Sequence, residues 1–296
     1  MLSKLTPNFA GAVLMMASMA AFTINDTFVK LVGQTIPLFQ LLTLRAILAT
    51  ALLVAMAWWL GSFRLTMSKH DRWLVFWRCL AEVGAAYFFL SALLAMPLAN
   101  VTAILQVLPL TVTLGAALFF REAVGWRRMV AICAGFIGML LIVRPGTDGF
   151  TIHTIYALAA VACVTLRDLV TRRMSAQVSS MTVTVITSAT ILVFAALASL
   201  SIEWQPVSPR EGLYIVASAI FIIGGYSFSV MVMRVGEISA VAPFRYTSLL
   251  WALVLGWLVF GDWPSALTLL GAAIVVASGI FTLYRERKVK APKRPA

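Results

Sequence analysis

The feature that most constrains this chain is a succession of ten apolar segments, each about as long as a bilayer crossing, with little sequence between them. They occupy residues 8–32, 37–60, 73–94, 98–120, 126–144, 151–171, 181–201, 211–234, 237–260 and 264–284. About 20 apolar residues in a helix span the hydrocarbon core of a membrane. Pro37, Pro97, Pro145, Pro209 and Pro264 mark the breaks between runs, as expected of a residue that ends helices. The chain is therefore predicted to be an all-α integral membrane protein of ten transmembrane helices, with no room for a separate soluble domain. The apolar run near the N-terminus resembles a signal peptide, but it continues to Val32, so it is read as a spanning helix.

Composition and charge agree with this reading. Apolar residues make up 61% of the chain and charged residues 11%, against roughly a quarter charged in soluble domains. The net charge of +12 would suggest nucleic acid on a soluble protein. Here the cations lie between the apolar runs and in the tail Arg285, Arg287, Lys288, Lys290, Lys293 and Arg294, and the aromatic–basic motifs of nucleic-acid binding are missing. No nucleic-acid partner is expected. With the N-terminus in the cytoplasm, inside loops hold Arg64, Lys69, Arg72, Arg121, Arg127, Arg128, Arg172, Arg173 and Arg234, while outside loops hold little beyond Arg144 and Arg210. The positive-inside bias thus predicts two cytoplasmic termini and a basic cytoplasmic tail over 285–296. Trp58, Trp59, Trp73, Trp126, Trp204 and Trp263 fall at span ends, as interfacial anchors do. Cys79, Cys133 and Cys163 are isolated, and His70 and His153 are far apart, so no metal site and no cofactor are expected.

The second half repeats the first at an offset of about 140 residues. Thr23-Ile24-Asn25-Asp26-Thr27-Phe28-Val29-Lys30 aligns with Thr165-Leu166-Arg167-Asp168-Leu169-Val170-Thr171-Arg172. The segment from Leu114-Gly115 to Phe120-Arg121-Glu122 aligns with that from Leu255-Gly256 to Phe260-Gly261-Asp262. Five segments per half is an odd number, so the halves 8–144 and 151–284 enter the membrane in opposite directions. Such inverted repeats are an architecture of secondary transporters, with the substrate near the midplane and alternating access arising from exchange of two related packings.

Several motifs resemble a known repeat. Ala95-Met96-Pro97-Leu98-Ala99-Asn100, Leu108-Pro109-Leu110, Phe120-Arg121-Glu122-Ala123-Val124-Gly125-Trp126-Arg127-Arg128 and Val143-Arg144-Pro145-Gly146 resemble the EamA repeat of the drug/metabolite transporter superfamily. A weaker second copy is Val241-Ala242-Pro243 with Gly261-Asp262-Trp263-Pro264. The resemblance implies a bacterial inner-membrane transporter of a small organic metabolite. The Asn-Asp and Arg-Asp pairs in the first and sixth segments look most like the branch of flavin and S-adenosylmethionine uptake proteins, with amino-acid or drug export as the alternative. A monomer is expected, a dimer being the other possibility, in contact with membrane lipid and with a coupling ion such as H+.

Ionisable residues inside a span are costly and mark candidate sites. Arg245 follows Pro243 and precedes Tyr246, and the repeat places Tyr246 opposite Gln106. A cation with Gln106 and Tyr246 suits a carboxylate or a planar polar ring. Glu82 lies four residues after Arg78, which serves either a local pair or substrate contact. Asp26 and Lys30, like Asp168 and Arg172, are also four apart. They read either as local ion pairs or as gating and coupling groups at opposite membrane faces. Arg45 needs a partner from another helix, with Asp26 the nearest. Asn25 is read as an interhelical or substrate contact, and Tyr87, Tyr226 and Trp251 as packing aromatics or cavity walls that favour a flat ligand. Glu122 and Asp262 close matching segments and read as structural. No nucleotide-binding loop is present, so ATP does not drive the protein directly. An intramembrane lipid-modifying enzyme would need clustered catalytic residues, and a channel a continuous polar stripe. The sequence has neither.

Overall fold

A computed structural model describes residues 7–59, 67–121, 124–146, 150–175, 177–235 and 241–290. Glu122, Arg64, Lys293 and Arg294 lie outside the described residues. Among the described residues ten helices are long and apolar enough to cross a membrane. They are α1 (Pro7–Val32), α2 (Leu38–Trp59), α3 (Lys69–Ala95), α4 (Leu98–Phe120), α5 (Trp126–Val143), α6 (Ile152–Arg172), α7 (Ser180–Ser199), α8 (Pro209–Val235), α9 (Ala242–Phe260) and α10 (Ala266–Lys290). No strand occurs among the described residues.

Two helices differ from the continuous runs expected of the sequence. The helix α4 is two pieces, Leu98–Leu105 and Leu108–Phe120, separated at Gln106-Val107. Pro109 is the cause: it donates no N–H, and its ring would clash with the carbonyl of Leu105 in a continuous helix. The helix α9 opens as a 3-10 turn, Ala242–Tyr246, around Pro243 and becomes α-helical at Thr247. By contrast α3 begins earlier than its apolar run, because Ser68 caps it by accepting the Asp71 N–H at 3.0 Å. The repeat also shows in how helices end. Arg121 after α4 (φ 54°) and Gly261 after α9 (φ 70°) are both left-handed C-caps, at equivalent places in the two halves. Glycine takes this conformation without penalty, arginine at a cost.

The helices form two compact units, and each draws on both halves of the sequence. The first contains residues 1–23, 97–151 and 224–296, and the second residues 24–96 and 152–223. In the first unit α5 packs on α10 and α4 on α9. In the second α2 packs on α7 and α3 on α6. Three of these four pairs join a helix to its own repeat equivalent.

Small residues bring the helices close, as is usual where lipid supplies no hydrophobic drive. A Cβ on Gly138 of α5 would meet the Gly271 carbonyl oxygen of α10 at 2.8 Å and Ile274 at 3.0 Å. In the second unit a Cβ on Gly84 of α3 would press on the Cys163 sulfur of α6 at 2.9 Å. In the first unit a Cβ on Gly225 of α8 would press on the Phe22 ring of α1 at 2.8 Å, and the Gly225 carbonyl accepts the Ser18 hydroxyl at 2.8 Å. These last two crossings are repeat equivalents. The tryptophans expected as anchors, Trp58, Trp59, Trp73, Trp126, Trp204 and Trp263, are all exposed at helix ends or loops.

Candidate substrate site

In the first unit the site is built on the two interrupted helices. The break in α4 frees the Gln106 side chain from helical register. Its Nε2 donates to Ser248 Oγ at 2.8 Å and to the Tyr246 carbonyl at 3.4 Å, which is where the 3-10 turn of α9 becomes α-helix. The two discontinuities are thus tied to each other. Ser248 in turn donates to the Arg245 carbonyl at 3.0 Å. Arg245 is exposed and makes no ion pair with a described residue. Tyr246 is buried at 5% exposure, and its hydroxyl has no hydrogen-bond partner among the described residues. The ring is seated on Gly279 of α10: a Cβ there would coincide with the hydroxyl and the ring carbon that bears it. Trp251 is exposed one turn further along α9.

In the second unit two acids carry matching microenvironments. Asn25 Nδ2 donates to Asp26 Oδ1 at 2.9 Å, and Arg45 of α2 donates to Asn25 Oδ1 at 3.4 Å, within electrostatic reach of Asp26. Arg45 therefore finds its partners on α1. At the repeat-equivalent place Arg167 Nε donates to Asp168 Oδ1 at 2.8 Å. Each acid is thus held by the residue before it. Arg167 also reaches across to Glu82 of α3, 3.3 Å from both carboxylate oxygens, and Arg78 reaches the same carboxylate at 3.3 Å. The result is a chain Arg78–Glu82–Arg167–Asp168 between α3 and α6.

The cations four residues beyond the two acids are placed differently. The Lys30 ammonium, 8% exposed, donates to the carbonyls of Leu93 at 2.9 Å and Met96 at 2.6 Å. It thereby caps the last turn of α3, where carbonyls lack helical donors and the helix dipole is negative. Arg172 sits exposed in the last turn of α6.

Tyr87 stacks on Phe39 of α2 (centroids 5.9 Å apart, planes at 9°) and touches Tyr156 of α6 at 6.1 Å. Tyr226 packs edge-on against Phe22.

The loops of this unit are fastened by buried polar groups. Gln40, fully buried, exchanges two hydrogen bonds with the backbone of Gln205, at 2.7 and 2.8 Å. Asp71 accepts the Ser175 N–H at 3.0 Å and its hydroxyl at 3.1 Å. Three of these groups carry roles that the sequence did not assign: Arg167, Ser248 and Gln40. Only Arg167 left a trace in the sequence, as the partner of Asn25 in the repeat.

Comparison with known proteins agrees with this architecture. The model of the EamA-like transporter family matches residues 9–144 and again 151–284. A riboflavin transporter of Vibrio cholerae is 30% identical over 210 residues, covering 71% of this chain and 70% of that protein. An S-adenosylmethionine uptake transporter of Rickettsia felis is 23% identical over 281 residues, 93% of each chain. The pseudopaline exporter CntI of Pseudomonas aeruginosa is 24% identical over 295 residues, covering 94% of this chain and 97% of that one. A solved crystal structure superposes with a TM-score of 0.64 at 18% identity, covering 95% of this chain and 99% of that one, which establishes the shared fold.

Proposed function

Because this chain belongs to the EamA-like transporter family, a two-repeat membrane fold whose members are small-molecule transporters rather than enzymes, we propose that it is a secondary transporter working by alternating access. Its cargo is a small organic metabolite of the flavin or S-adenosylmethionine type, and it works in the bacterial inner membrane with both termini cytoplasmic. The observation that carries this reading is the pair of helix interruptions at repeat-equivalent places, at Gln106-Val107 in α4 and over Ala242–Tyr246 in α9, joined through the Gln106 amide. Irregular backbone at membrane depth is tolerated where it is covered by protein or lines a cavity, and discontinuous helices form the substrate sites of inverted-repeat transporters.

In this reading Arg245 and Gln106 contact the cargo, with Trp251 beside them. Tyr246 positions the turn that carries Arg245. Asp26 takes the coupling role, with a proton as the ion, because a carboxylate in a span is costly when charged and Asn25 and Arg45 can hold it in either state. Asp168, with Arg172 below it, is the corresponding gate at the other end of the repeat. Lys30 holds α1 to the end of α3 throughout.

The test is uptake of labelled riboflavin and S-adenosylmethionine by proteoliposomes with and without an imposed pH gradient. Transport of either is expected, and Arg245→Ala is expected to abolish it while the protein remains monodisperse. Undiminished transport by Arg245→Ala would remove Arg245 from the site. Export is the second reading, favoured by the match to CntI along nearly the whole of both chains. Inside-out vesicles distinguish the two directions.

A further inference from the structure

The chain of charges between α3 and α6 asks for a purpose that stability does not supply. Replacing a buried ion network with apolar residues of similar size is often neutral or stabilising, and α3 and α6 already pack closely along their length. The cluster is also oriented inward. The exposed residues Trp73, Phe76, Trp77 and Leu80 form one stripe of α3, and at ~100° per residue Arg78 and Glu82 lie on the far side of the helix from it. On α6 the exposed stripe runs through Ile152, Ile155 and Leu166, with Arg167 about a quarter of a turn and Asp168 about half a turn from its centre. Yet the four side chains keep exposures of 17% (Arg78), 14% (Glu82), 23% (Arg167) and 33% (Asp168). Arg78, Glu82 and Asp168 thus face away from the apolar stripes, Arg167 flanks its own, and none of the four is fully covered.

Arg78 also has donors left over. A guanidinium offers five N–H groups, and Arg78 uses its own on Glu82 alone, leaving a buried Nε–H without an acceptor. The Glu82 carboxylate is shared by two guanidiniums at 3.3 Å each, longer than the 2.7–2.9 Å of a tight charge-assisted pair.

We propose that Arg78 and Arg167 form an anion subsite, which receives a carboxylate or phosphate of the transported molecule and which Glu82 occupies when it is empty. The cargo class is then a metabolite bearing at least one anionic group, a condition that the carboxylate of S-adenosylmethionine meets and that riboflavin, which has neither carboxylate nor phosphate, does not. Glu82 sets the specificity: it must be displaced, so weakly basic or neutral groups do not enter. The cargo side of this statement rests on the transporter reading above. The subsite itself is testable as binding, with no membrane gradient.

The experiment is thermal unfolding of the purified protein in a non-ionic detergent, with sodium acetate or sodium phosphate titrated against sodium chloride at matched ionic strength. A bound anion raises the melting temperature by mass action. For the wild type a rise of about 2 °C or more over chloride is expected, with acetate and phosphate separating the carboxylate and phosphate preferences. Arg78→Gln and Arg167→Gln lose the rise, and Glu82→Gln reaches it at several-fold lower anion concentration. The double variant Arg78→Gln/Glu82→Gln keeps the charge balance, so it reports on the subsite even where a single variant folds poorly. It is expected to unfold cooperatively with no anion response. An equal response in wild type and double variant overturns the proposal, as does no response in the wild type. A rise produced by phosphatidylglycerol and by neither small anion overturns it in favour of a lipid headgroup. If the anion response is present but proteoliposomes move no labelled metabolite, the subsite stands and the transport reading falls.

Discussion

Tyr246 offers a quantitative test of how the two interrupted helices are held. Its hydroxyl is buried against Gly279 and makes no hydrogen bond among the described residues. A buried hydroxyl left unsatisfied costs about 1–3 kcal/mol, so Tyr246→Phe removes a liability while keeping the ring. At about 2–4 °C per kcal/mol for chains of 150–250 residues, the melting temperature is expected to rise by about 2–12 °C. Gly279→Ala acts in the opposite sense. Its Cβ would occupy the position of the hydroxyl and of the carbon bearing it, and overpacking of this kind costs about 1–3 kcal/mol. In the Tyr246→Phe background the oxygen is gone but the ring carbon remains, so Gly279→Ala is expected to cost less there without becoming neutral. Fluorescence-detected unfolding of the four proteins closes a double-mutant cycle, with a coupling of about 0.5 kcal/mol or more expected for groups in contact. A lower melting temperature for Tyr246→Phe would mean that the hydroxyl has a partner. Additive effects of the two substitutions would mean that the ring does not sit on Gly279. Either result refutes the reasoning.

Three further outcomes follow from groups described above. Lys30→Met removes two charge-assisted hydrogen bonds from the end of α3 and is expected to destabilise the protein by about 2–4 kcal/mol, read as a lower melting temperature and faster hydrogen exchange over residues 92–96. Gln40→Ala strands the N–H and carbonyl of Gln205 at a cost of about 1–3 kcal/mol, and limited proteolysis should then cut the segment near Gln205 sooner. Gly138→Val puts a branched side chain against the Gly271 carbonyl. It is expected to lower the melting temperature by several degrees or more, whereas the same change at Gly212, where a Cβ meets nothing within 4 Å, is expected to be mild.

The ten helices were legible in the sequence because lipid imposes one rule on every span, and apolar runs of the right length obey it without reference to partners. The duplication was legible for a similar reason: Asp26 and Asp168 are costly wherever they occur, so their matching places stand out. The interruption of α4 was less visible. Pro109 sits inside a long, mostly apolar run, and a proline inside a run signals either a kink or a full break, which only the packing around it decides. The partners of the charged residues were legible only in part. Spacing of four suggested that Lys30 would face Asp26, but a long flexible side chain goes to the densest set of acceptors within reach, and those are the carbonyls ending α3. No acid lies three or four residues from Arg167 along α6, and Glu82 lies 85 residues away in sequence. As a glycine inside a span, Gly279 could be read as a place of close helix packing, but not as the seat of Tyr246, since a socket is defined by the ring that fills it.

The pairing of helices with their own repeat equivalents, α2 with α7, α4 with α9 and α5 with α10, has a consequence for descent. Between two identical half-length chains inserted in opposite directions, each of these contacts would be a helix meeting its own copy across a two-fold axis. The packing therefore needs no linker between the halves. What a single covalent chain adds is independence. One half can keep Asn25 while the other takes Arg167, or Leu105 while the other takes Arg245. A symmetric pair must change both copies of a residue at once; a fused pair can change one and leave its equivalent as it was.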